Sequence, residues 1–215
     1  MKALRMTLMV VAIVALAGSA MAQTTVYADA TAAMNGTNFG LVLDLDGTTS
    51  NTFVEDQTPA DETVYRATFW FDPNDLTMGT ADKFVIFLAR TSAFKNILRL
   101  QFNYNNGNYR VRLQVLKNNE AWADCRLNGD DGLRFMTIGN EPTQITIESV
   151  FGDNTVSMAQ VTANGITHYK TGYQSANWAV DRIRMGGPRM PQAQGGPFTG
   201  MVYFDEFESY RTLAP

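Results

Sequence analysis

The 215-residue chain carries 17 basic and 21 acidic side chains and a formal charge of −4, a balance that speaks against nucleic acid as a partner. Its only cysteine, Cys125, excludes an intramolecular disulfide, so stability has to come from a packed core or a bound ion. The length suits one domain of ordinary size.

Read in chain order, the first segment has three parts: a basic start with Lys2 and Arg5, an apolar run from Met6 to Ala17, and the small-residue site Ala20-Met21-Ala22. That is the pattern of a secretory signal peptide, cut after Ala22, with an apolar run too short for a retained span. The expected product begins at Gln23, is secreted or periplasmic, and forms a single β-sandwich domain over residues 23–215. Removing Lys2 and Arg5 moves the formal charge to about −6. The absence of a cysteine at the cleavage site and of an apolar tail argues against a lipid or membrane anchor.

Beyond the leader, nearly every periodic segment alternates with period two and is filled with Thr, Val, Ile, Phe and Tyr, which predicts an all-β protein. Strands are expected at Phe39 to Leu45, Val64 to Phe71, Phe84 to Arg90, Ile97 to Tyr104 and Tyr109 to Lys117. Others are expected at Ala121 to Arg126, Thr143 to Val150, Thr155 to Val161, Ile166 to Lys170, Val180 to Met185 and Met201 to Tyr210. Phe84-Val85-Ile86-Phe87-Leu88 is apolar on both faces and belongs at the centre of a covered sheet. Asn105-Asn106-Gly107-Asn108 carries the Asn-Gly pair that a tight hairpin needs. Gly186 to Gly200, with three prolines and five glycines, is expected to be a surface loop. Regular short strands of this kind suggest two packed antiparallel sheets.

Val54-Glu55-Asp56-Gln57-Thr58-Pro59-Ala60-Asp61-Glu62, with Tyr65-Arg66-Ala67-Thr68-Phe69-Trp70-Phe71-Asp72-Pro73-Asn74 behind it, resembles a recurrent stretch of secreted bacterial concanavalin A-like (laminin G-like) jelly-roll domains. Gly200 to Ser209 resembles the last strand of that group. The resemblance covers most of residues 38 to 211 and implies a two-sheet antiparallel jelly-roll sandwich. It leaves function open among lectins, adhesion modules, glycosidases and polysaccharide lyases. It also implies that Asp205, on the last strand, helps hold a structural calcium ion, which would stabilise a chain without disulfides.

Several motifs are weighed for catalysis. Leu43-Asp44-Leu45-Asp46-Gly47-Thr48 matches the aspartate-nucleophile motif of haloacid dehalogenase-like phosphatases, yet no helical period follows it, and a strand ending in an Asp-Gly turn is the plainer reading. The Glu-x-Asp-x-Glu spacing of retaining β-glucanases does not occur. Tyr169-Lys170-Thr171-Gly172-Tyr173-Gln174 resembles a segment of jelly-roll alginate lyases, with His168 beside it. Gln144-Ile145-Thr146, however, has threonine where those enzymes carry histidine, and no Arg-x-Glu-x-Arg strand is present. His168 by itself reads as a surface strand residue.

A binding face is the strongest candidate. If Val64 to Phe71, Ile97 to Tyr104 and Tyr109 to Lys117 share one sheet, then Arg66, Thr68, Trp70, Arg99, Gln101, Asn103, Arg110, Arg112 and Gln114 all leave the core on one side. Tryptophan stacks on sugar rings, and arginine forks pair with carboxylate or sulfate. The expected ligand set is Arg66, Trp70, Arg99, Gln101, Arg110 and Arg112, and the expected partner is an anionic polysaccharide or glycan bound without catalysis. A structural or adhesive envelope protein with protein partners, cross-linked through Cys125, and a polysaccharide lyase are the alternatives; an ordinary solvated sheet face is the plain one.

Overall fold

The computed structural model describes residues 24–47, 50–190 and 198–213; the expected leader, residues 1–22, lies outside the described residues. Two antiparallel sheets face each other. The first runs β1 (Thr25–Asp29), β2 (Gly40–Asp46), β14 (Thr199–Tyr210), β4 (Val64–Asp72), β10 (Thr143–Val150), β11 (Met158–Ala163) and β12 (Ile166–Thr171). The second runs β3 (Thr52–Asp56), β13 (Arg182–Arg189), β5 (Lys83–Arg90), β6 (Asn96–Asn105), β7 (Asn108–Leu116) and β8 (Trp122–Asp124), with β9 (Met136–Ile138) also pairing β7. The architecture is a two-sheet antiparallel jelly-roll sandwich, as expected.

Alternation drives the packing. In β4, Tyr65, Ala67, Phe69 and Phe71 are buried while Arg66, Thr68 and Trp70 are half-exposed. Phe69 of the first sheet stacks on Phe87 of the second, ring centres 5.9 Å apart, and Phe71 meets Phe102 edge-on at 5.0 Å. Rings from opposite sheets therefore interdigitate across the roughly 10 Å between layers. β5 lies between β13 and β6, the central place its unbroken apolar run requires. Asn106 and Gly107 adopt φ of 49° and 82°, the two left-handed residues of a tight turn joining β6 to β7.

Two expectations are corrected. β4 does not share a sheet with β6 and β7; it pairs with β14 and β10 in the first sheet. Alternation reports which residues of one strand share a face and says nothing about which sheet receives the strand. The stretch from Gly186 is not all loop either, because β13 continues through Gly186-Gly187-Pro188 to Arg189 with a register shift between Met185 and Arg189. Gly186 has φ of 112°, and a Cβ there would sit 3.0 Å from the Thr52 carbonyl oxygen and 3.3 Å from Phe53 Cα. Glycine is what lets β3 lie against the bulge. Residues 191–197 of the expected loop lie outside the described residues.

Candidate functional site

The outer face of the second sheet is built as transverse rows of registered side chains. One row crosses six strands as Glu55, Arg184, Leu88, Arg99, Gln114 and Asp124. A second reads Arg189, Val85, Gln101 and Arg112, and a third holds Lys83, Asn103, Arg110 and Thr137. A fourth brings together Arg182, Arg90 and Asn96. With Arg134 beside Arg112, this face gathers eight of the twelve arginines in the sequence. Its carboxylates are few: Glu55 takes Arg184 at 2.5 Å and Arg182 at 3.1 Å, and Asp124 lies 3.6 Å from Arg112.

On β6 and β7 each arginine faces a neutral amide across the strand pair. Arg99 Nε donates to Gln114 Oε1 at 2.8 Å, Arg110 donates through Nε and Nη2 to Asn103 Oδ1 at 3.2 and 2.7 Å, and Arg112 Nε donates to Gln101 Oε1 at 3.1 Å. The amides are themselves anchored, Gln114 to Asp124 at 2.7 Å and Asn103 to the Asp82 carbonyl at 2.8 Å. An amide acceptor orients a guanidinium without neutralising it. Aromatic rings support the same heads: Trp122 lies 4.0 Å from the Arg99 guanidinium, Phe135 4.5 Å from Arg110 and 5.0 Å from Arg112, and Phe53 4.0 Å from Arg184. Burial, with Arg189 and Arg112 adding repulsion, pulls the Arg99 guanidinium down to about 10, so it remains charged at neutral pH. Such pre-positioned forks suit planar anions.

Of the expected ligand residues, Arg99, Gln101, Arg110 and Arg112 are brought together here. Arg66 and Trp70 are not. They leave the opposite side of the sandwich, where Arg66 lies 4.2 Å from the Tyr210 ring and Trp70 Nε1–H donates to Glu206 at 3.1 Å. Trp122, Phe135, Phe53, Arg182, Arg184 and Arg189 were missed; the alternation of Arg182 and Arg184 was the legible signal for two of them. The face around Arg66 is acidic instead, with Asp44, Asp72, Glu148 and Glu208 in register with outward positions.

Asp205 is a buried tether on that first sheet. Its carboxylate accepts Met34 N–H at 2.5 Å, Glu206 N–H at 2.7 Å and the Thr37 hydroxyl. Calcium takes a shell of oxygen ligands, whereas the groups bonded to this carboxylate are two N–H donors and one hydroxyl; the residues at Asp205 do not fit a calcium shell. Among the described residues no three His, Cys, Asp or Glu side chains form a metal-binding group.

The remaining motifs fall away from the arginine face. Asp44 and Asp46 lie on β2 between antiparallel partners, without the parallel sheet a dehalogenase-like phosphatase requires. His168 is 3% exposed and points inward opposite Val161 of β11, which corrects its expected surface position; burial lowers its pKa. Cys125 is fully buried, its thiol 3.4 Å from the Ala159 carbonyl and pushed up by burial, so the folded protein offers no thiol for a cross-link between copies.

No family model and no curated protein sequence matches this chain. Solved structures share its fold. An endo-beta-1,4-glucuronan lyase from the fungus Trichoderma reesei aligns with a TM-score of 0.59 at 13% identity over 87% of each chain. The receptor binding domain of botulinum neurotoxin type G aligns with a TM-score of 0.53 at 12% identity, over 88% of this chain and 42% of its own. The binding domain of botulinum neurotoxin DC in complex with SialylT gives 0.50 at 8% identity, over 83% and 37%. The chain thus spans less than half of the toxin binding domains, and at these identities the likeness is one of fold.

Proposed function

We propose that the protein is a secreted glycan-binding sandwich whose arginine face takes an anionic polysaccharide. The observation that carries this is the pairing of Arg99 and Arg110 with neutral amides, which fixes cations in place while leaving their charge for a ligand; Arg112 is oriented in the same way by Gln101 and shares its charge with Asp124. Domains of the same fold include a glucuronan lyase and a toxin domain bound to SialylT, which supports a saccharide as the partner. Binding without cleavage is favoured because the registered outward positions of this face hold no histidine or tyrosine to move a proton, and Glu55 and Asp124 are engaged by arginines.

The test is a glycan array followed by titration with polyglucuronate and with a sulfated polysaccharide. Arg112→Ala and Arg99→Ala should each weaken binding, at about 1.5–3 kcal/mol per lost charge-assisted contact. An affinity indifferent to both would leave this face merely solvated. Absorbance of unsaturated uronate products in the same mixtures would instead establish the lyase reading. An N-terminus at Gln23 on exported material checks the secretory part, and an intact Met1 would defeat it.

A further inference from the structure

The hairpin joining β5 to β6 turns through a Phe94 N–H to Thr91 carbonyl bond of 2.9 Å and closes with Thr91 N–H to Lys95 carbonyl at 3.0 Å. Phe94 takes φ of 62°, the left-handed position that such a hairpin normally gives to glycine or asparagine. It is occupied by a large ring that is 52% exposed. Neither core packing nor backbone preference accounts for an aromatic residue there, and local strain persists only where its surroundings impose it. Here they do. Ser92 N–H donates to Asp181 at 2.7 Å, the Arg90 guanidinium donates to the Phe94 carbonyl at 2.5 Å, and the Arg182 and Arg90 heads lie 4.6 and 5.2 Å from the ring centre.

The registers also place the arginines on an oblique line. Arg110 and Arg112 lie two residues apart on β7; Arg99 stands one strand over and one row on, and Arg90 another strand and row beyond. Strand spacing and rise make this track about 20 Å long, and it ends at Phe94. The supporting rings Trp122, Phe135 and Phe53 are half-buried, so Phe94 offers the most open aromatic surface on the track. We infer that Phe94 is a terminal stacking platform, on which a sugar ring at one end of an obliquely bound anionic chain rests while arginines grip its acidic groups. This rests on the arginine-face reading and adds to it a direction, a minimum length and a residue with no charge.

The experiment titrates the full chain with a glucuronate dimer and a glucuronate hexamer, and with sulfated oligosaccharides of the same two lengths. Phe94→Ala should lower hexamer affinity about three- to tenfold, the range of one aromatic stacking contact, and leave the dimer unchanged; Arg112→Ala should lower both. Phe94→Tyr should keep hexamer affinity. Phe94→Gly should lose it as alanine does while raising the thermal midpoint, because glycine relieves the left-handed backbone. Equal loss at both lengths, or loss at neither, overturns the platform while leaving the arginine face standing. A wild-type protein that binds no length of either anion class sinks both.

Discussion

Phe69 and Trp70 are chain neighbours in opposite environments. Phe69→Ala removes a ring stacked on Phe87 and should cost about 3–5 kcal/mol in denaturant unfolding. Trp70→Ala should cost far less and leave polyanion binding untouched, because the ring stands on the other sheet; a binding loss in that variant would contradict the placement described here. The inward position of Phe69 and the outward position of Trp70 were both legible from alternation, whereas their distance from Arg112 was not, since sheet membership is decided by long-range pairing. Asp205 illustrates a second limit. Its position on the last strand could be read, but two of its three donors come from Met34 and Thr37, far away in the chain. Asp205→Asn is expected to cost about 1.5–3 kcal/mol, and chelator should not move the melting temperature; a shift of several degrees on adding millimolar calcium would show that an ion displaces those donors.

Strands of the arginine face depend on devices at their edges. The Gly186 bulge lets β13 run past β3 and still return Arg189 to the outer face opposite Val85. Gly186→Ala should destabilise the protein by about 1–3 kcal/mol through strain at a positive φ, read as a lower thermal midpoint. Nothing in a glycine- and proline-rich stretch announces a strand, which is why this element was expected to be a loop, while Asn106-Gly107 announced its hairpin through turn chemistry. Glu55 ties β3 to β13. Burial works to raise its pKa, but hydrogen bonds from Arg184 and Gln57 and the charge of Arg184 outweigh it, and the carboxyl is held below its ordinary value of 4.5. A depressed acid contributes stability that is present above the ordinary value and lost as pH falls through the depressed one. Thermal midpoints measured from pH 5 downward should therefore fall in the wild type more steeply than in Glu55→Gln.

Across the whole molecule, net charge sums two faces that a ligand meets separately. Binding to polyglucuronate should weaken as salt rises, in line with screening of partly exposed arginines over about 8–10 Å near physiological ionic strength; an affinity constant from low to high salt would contradict it. The sandwich sets its two sheets about 10 Å apart, comparable to that screening length at 0.1 M salt. A charged surface approached from the arginine side is thus largely blind to the aspartates and glutamates behind. On a chromatography column the consequence is paradoxical: a chain with a sequence pI near 5.0 should be held at neutral pH by a sulfonate cation exchanger in buffer of about 0.1 M salt, where that screening applies, turned so that its minority charge faces the resin, and should also bind an anion exchanger through its back.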